Sequence, residues 1–199
     1  MITAGGNALT PGEKDPCPAS GCSTDGRERA LLTRIAARDE TAMKELYLLY
    51  HPRLAGFLTR LTARPELAEA TINDTFWVVW NLAGEFRGNS RVSTWIFGIT
   101  YRRGLKTLRD AGRPPTDAVV GSEAATAEPA QQKLDEWPNV ALHRLPFDQR
   151  MAIALAYNVG HSCEEIASIM QCIPNTVKTH LFHARRKLKT PLTHLAGPS

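Results

Sequence analysis

Between Gly160 and Lys189 the chain permits little besides two helices joined by a tight turn. Gly160 suits the left-handed residue that closes a helix. Ser162-Cys163-Glu164-Glu165 then fits a capping box, in which the serine hydroxyl accepts from the amide three residues on and Glu165 reaches back to the serine amide. The short helix so begun ends near Met170, a turn follows over Gln171 to Ile173, and Pro174 suits the first turn of a last helix running to about Lys189. Val177, Leu181, Ala184 and Leu188 stand at i, i+4, i+7 and i+11, an inward stripe that leaves Lys178, Thr179, Phe182, His183 and Arg186 outward. A short helix, a tight turn and a longer basic helix make a helix-turn-helix. The opening residues of its second helix approach base edges in the major groove and later cations meet phosphates. Phe182 offers an apolar contact for a thymine methyl. Gln171 stands where glycine is common and Ile173 is a poor cap, so the motif is expected to be slightly less stable than usual.

Charge is concentrated where this reading needs it. Net charge is only +4, with a sequence pI near 9.0. Yet Lys178 to Lys189 holds five Lys or Arg, two His and no acid, and Arg102 to Arg113 holds five Lys or Arg against one Asp. Two such basic stretches fit an anionic polymer better than a solubilising coat.

The rest of the chain reads as helix too, because apolar residues recur at helical spacing and no segment alternates as a half-buried strand would. Residues 1–26, rich in Gly, Pro, Ser and Thr, read as a disordered tail. Residues 27–110 read as a first helical domain. Leu31, Leu32 and Ile35 mark its first helix. Leu46, Tyr47 and Tyr50 mark the second, which Pro52 bends or restarts through Leu54, Phe57 and Leu61. Pro65 opens a third, with Ala68, Ile72, Phe76 and Val79 as its stripe, and Trp95, Ile96, Ile99 and Leu105 line a fourth. Residues 111–133, nearly without bulky apolar side chains, read as a flexible linker. Residues 134–190 form the second domain, opened by a helix at Pro138 that presents Trp137, Ala141, Leu142 and Leu145. A helix through Met151, Ile153, Ala154 and Tyr157 follows. The expected fold is all-α, with two small helical domains on a tether.

Several function classes drop out. No Walker loop, no His-Glu-x-x-His and no paired Cys-x2-Cys sites occur, so no enzyme, cofactor or metal centre is expected. His161, Cys163 and Glu164 cluster at a helix start that capping explains. The four cysteines are too few and too irregular for a disulfide framework. No apolar run is long enough to cross a membrane, and no apolar stretch follows a basic start as a secretory leader needs, so the expected location is the cytoplasm without membrane insertion.

The motifs resemble a known family. Leu145-Pro-Phe-Asp-Gln-Arg150, Cys163-Glu-Glu-Ile-Ala167 and Asn175-Thr-Val-Lys-Thr-His-Leu-Phe-His-Ala-Arg-Arg-Lys-Leu188 resemble region 4 of the extracytoplasmic-function (group IV) sigma factors of the sigma-70 family. Glu45-Leu-Tyr-Leu-Leu-Tyr-His-Pro-Arg-Leu54 resembles the start of region 2. Asn73-Asp-Thr-Phe76, Trp80, Phe86-Arg-Gly-Asn-Ser90 and Ser93-Thr-Trp-Ile-Phe-Gly-Ile99 resemble its later parts. The resemblance implies a factor that binds bacterial core RNA polymerase and directs it to promoter DNA, region 2 reading the −10 element and region 4 the −35 element. An anti-sigma factor is a frequent partner in the family.

By that pattern, Lys178, Thr179, Phe182 and His183 meet −35 bases, while Arg185 and Arg186 hold phosphates. Arg87, Asn89 and Ser90 lie in the loop that pockets a flipped −10 base. Arg102, Arg103 and Lys106 follow the single strand, with Phe97 or Tyr101 as stacking platforms. The polymerase-binding face falls on Glu69, Asn73, Asp74 and Trp77. Here the chain departs from the family, with Ala70 where an acid is usual and Asn73 in place of Gln. Thr71 sits in this depleted spot, where phosphorylation would restore negative charge. The competing expectation is a stand-alone helix-turn-helix regulator that binds operators without polymerase.

Overall fold

The computed structural model describes residues 22–112 apart from 63, residue 142, and residues 145–193. Most of the expected helix at Pro138 and of the linker lies outside the described residues. Among those described there are seven α-helices and no strand.

In the first unit, α1 spans Cys22–Ala36, α2 Glu40–Leu61, α3 Pro65–Leu82 and α4 Val92–Asp110, with a 3₁₀ turn at Ala83–Glu85 after α3. The second unit holds α5 (Phe147–Ile153), which widens into a π-helical turn over Ala154–Val159, then α6 (Cys163–Met170) and α7 (Pro174–Thr193). The chemistry of each terminus explains its position. Asp39 accepts from the amides of Thr41 and Ala42 at 2.8 and 3.1 Å, satisfying donors the first turn of α2 leaves open. Pro65 opens α3. Gly160 closes the π-turn with φ +79. The capping box at Ser162 and Glu165 is complete in both directions.

Two expectations are corrected. Pro52 neither restarts nor splits α2, which is one helix from Glu40 to Leu61 with the proline on its exposed side. And α1 starts at Cys22, inside the stretch whose composition reads as disordered. The reason is a long-range partner, because Asp25 in the first turn of α1 accepts from the Val92 amide of α4 at 2.9 Å.

Helices α2, α3 and α4 close on one another through small and aromatic groups. A Cβ on Gly104 of α4 would collide with Leu61 of α2, so the glycine sets how near these helices come. Tyr47 meets Phe76 at a tilt with ring centroids 4.7 Å apart, and Phe57 meets Phe97 edge-on at 5.6 Å.

The two units are in contact. Their buried apolar residues form one continuous cluster, from Leu31 and Ile35 through Phe97 to Met151, Ile166 and Ala184. Across the seam, Thr94 of α4 donates to Glu165 Oε1 of α6 at 2.9 Å, and Arg91 lies 3.7 Å from the same oxygen. The buried His161 ring meets Phe97 edge-on at 5.3 Å.

Candidate nucleic-acid interface

The face of α7 follows from its inner stripe. Val177, Leu181 and Ala184 are buried against the second unit. With that side fixed, Lys178, Thr179, Phe182, His183, Arg185 and Arg186 are all exposed. Phe182 is 62% exposed, so its ring is open to contact from outside the unit. Arg185 is steadied from behind, since its Nε donates to the Tyr157 hydroxyl at 2.7 Å and its guanidinium lies over that ring. Gln171, the closing residue of α6, adopts φ +56.

In the first unit, Arg87 and Asn89 are exposed and Ser90 is half-buried, all in the loop between the 3₁₀ turn and α4. Arg102 and Lys106 are exposed on α4 and Arg103 is half-buried, giving a basic ridge one helical turn apart. A cleft of about 360 Å³ opens beside the loop, lined among others by Arg29, Thr33, Phe86, Arg87 and Gly88.

The expected stacking platforms are corrected. Phe97 is fully buried between Phe57, the Arg53 guanidinium and His161. Tyr101 is buried as well, and burial, aided by Asp148 and Cys172 of the second unit, pushes its hydroxyl pKa up to about 12. Neither ring is presented to a strand. The stretch Val92 to Tyr101 carries no charge, and that signal already pointed to a helix end covered on every side.

On α3, Glu69, Ala70, Asn73, Asp74 and Trp77 are exposed along one face, with Trp77 67% exposed. His51 of α2 lies 3.3 Å from Glu69 at its edge. Thr71 is not on this face. It is buried between α3 and α4, donates to the Leu67 carbonyl at 2.7 Å and meets the Thr107 hydroxyl at 3.4 Å. A phosphate dianion there would have to enter a packed helix interface, so the expectation of a modification site at Thr71 is withdrawn.

Comparison with known proteins joins the two faces. Residues 46–114 match the family described as sigma-70 region 2, and residues 140–188 match sigma-70 region 4. The structure resembles the sigma factor RpoE of Bartonella quintana, solved with the anti-sigma factor NepR. Identity is 30%, the match covers 75% of this chain and 96% of that one, and the TM-score is 0.61. The chain belongs to the extracytoplasmic-function sigma factors of the sigma-70 family. It is 28% identical to the RNA polymerase sigma-H factor of Pseudomonas aeruginosa, over 86% of this chain and 97% of that protein. It is 27% identical to the ECF RNA polymerase sigma-E factor of Haemophilus influenzae, over 84% and 96%. The fold is shared with CnrH, solved with the cytosolic domain of CnrY, at 22% identity and a TM-score of 0.63 over 84% and 98%.

As a sigma factor the protein directs transcription initiation, and members of its family are initiation factors, not enzymes. The stand-alone regulator is not favoured, because the region 2 match accounts for the helices that such a reading leaves without a task. No described helix is long and apolar enough to cross a membrane.

Sequence reasoning missed four residues around these faces. Asp25 and Arg29 precede the region 2 match, and their partners lie some 60 residues away. His161 and Glu165 are explained locally by the cap, so nothing in the sequence marks their second task at the seam. There Glu165 is held at about 2. Burial opposes its charge, but the adjacent His161 ring, the Ser162 amide and the Thr94 hydroxyl outweigh that cost.

Proposed function

We propose that this sigma factor divides promoter work between a first unit that begins with α1 at Cys22 and runs to 110 and a second over 134–190, joined by 111–133. The outer face of α3, with Glu69, Asn73, Asp74 and Trp77, docks on core RNA polymerase. Arg87, Asn89 and Ser90 read the −10 element, and Arg102, Arg103 and Lys106 follow the melted strand. Lys178, Thr179, Phe182 and His183 read the −35 element while Arg185 and Arg186 hold phosphates. The protein acts in the cytoplasm, has no catalytic chemistry of its own and needs no cofactor. An anti-sigma factor is its regulator, in keeping with the partner seen in the RpoE structure.

The observation that carries this reading is α7. All six residues assigned to the −35 contact are exposed on a helix whose other face is buried. Cations on such a helix displace counterions and give affinity for any duplex, and Lys178 with its neighbours adds base contacts on top.

The test is run-off transcription by core polymerase with the full chain on genomic DNA, followed by sequencing of transcript 5′ ends. The expected result is a set of defined starts sharing two upstream motifs. Lys178→Ala should change the distal motif and Asn89→Ala the proximal one. DNA binding with no promoter-specific start would overturn the reading in favour of the stand-alone regulator.

A further inference from the structure

The loop assigned to the −10 element has a main chain that the loop itself cannot hold. Phe86 to Ser90 contains no regular structure, and Arg91, the N-cap of α4, makes no side-chain cap. The missing bonds come from α1. Arg29 Nη2 donates to the Ser90 carbonyl at 2.9 Å, and both Nη atoms reach the Gly88 carbonyl at 3.4 Å. The guanidinium also lies over the Phe86 ring, 5.5 Å from its centroid. Arg29 Nε donates to Asp25 Oδ2 at 2.6 Å, and the other oxygen of Asp25 accepts from the Val92 amide at 2.9 Å. One carboxylate thus fixes the arginine and starts α4, while the arginine grips the loop at both ends of the Gly88–Ser90 step.

Gly88 completes the fit. Its φ is +73, and a Cβ there would meet Arg29 Nη1 at 2.6 Å. Any other residue would strain the backbone and displace the guanidinium together. The side chains of Arg87 and Asn89 stay exposed on this clamped main chain, and Arg87 lines the cleft together with Arg29, Phe86 and Gly88.

We propose that Asp25 and Arg29 are positioning residues for promoter reading, which hold the loop 86–90 in the one shape that lets Arg87 and Asn89 meet a −10 base. The inference rests on the loop's assignment to the −10 element. Arg29 acts as a fork and not as a point charge, since it serves two carbonyls, a carboxylate and a ring at once, and lysine cannot copy that geometry.

The test uses full-length variants with core polymerase and a library of promoter DNA randomised over the −10 element. Three quantities are read: the preferred −10 sequence, affinity for core polymerase, and hydrogen exchange at the Val92 amide. Arg29→Lys and Gly88→Ala should each lower initiation at the preferred −10 sequence by roughly tenfold and flatten the preference, with core affinity within about twofold of wild type. Asp25→Ala should do the same and speed exchange at Val92, whereas Asp25→Asn, which keeps an acceptor, should recover part of the protection. A wild-type preference in Arg29→Lys and Gly88→Ala, while Asn89→Ala alters it, would overturn the proposal and leave the loop's role intact. A wild-type preference in Asn89→Ala and Arg87→Ala as well would remove the loop's assignment itself. Equal losses in −10 preference and core affinity would show general unfolding and also overturn it.

Discussion

Helices α4 and α7 are alike in charge and opposite in exposure. Each carries or adjoins a stretch with five Lys or Arg. On α7 the apolar residues form a narrow stripe, Val177, Leu181 and Ala184, so one face is buried and the other is exposed. On α4 the first ten residues, Val92 to Tyr101, are buried almost throughout, with only Trp95 partly open, and the basic residues begin where burial ends. The difference lies in pattern, not in composition. A helix with one stripe has a partner on one side only. A helix apolar all round is covered on all sides, and here the second unit supplies the cover through His161 and Glu165.

Substituting one ring in each helix gives the sharpest break. Phe97→Ala should cost about 3–5 kcal/mol in chemical denaturation, because it empties a packed site between two units. Phe182→Ala should change stability by no more than about 0.5 kcal/mol while weakening −35 DNA binding. Equal costs would erase the contrast. Next in size is the acid response of the seam. Glu165 is held at about 2 against an ordinary value of 4.5, so its contribution is complete above pH 4.5 and is lost as pH falls from 4.5 towards 2. Thermal melts of wild type and Glu165→Gln across that window should differ most at its upper end and converge at its lower end. Gly104→Ala, which drives a methyl into Leu61, should destabilise the first unit by about 1–3 kcal/mol, with the melt of the full chain as the measure. The smallest effect runs the other way. Gln171→Gly should stabilise the second unit by up to about 1 kcal/mol, since it removes a left-handed non-glycine residue from the turn before α7.

What the sequence disclosed was what neighbours along the chain decide. The cap at Ser162, the stop at Gly160, the starts at Pro65 and Pro174 and the stripe of α7 each rest on residues within a few positions of one another, and each is found in place. Burial of Thr71 was also legible, because it lies three residues after Ala68 and four before Thr75 on the inner side of α3. What stayed hidden needed distant partners. Composition marks residues 22–26 as unstructured, and only the Val92 amide and Arg29 give Asp25 a reason to be ordered. The unit-to-unit seam was likewise beyond reach, since a helix cap already accounts for Glu165.

That glutamate divides its duties between its two oxygens. Oε2 receives the Ser162 amide and faces His161, while Oε1 receives Thr94 and faces Arg91 across the seam. The Oε2 bond lies within the second unit, so the start of α6 does not depend on Thr94 for its cap, whereas the Oε1 contacts exist only where the second unit lies against α4. A single carboxylate thereby carries a local cap and a long-range tie at once.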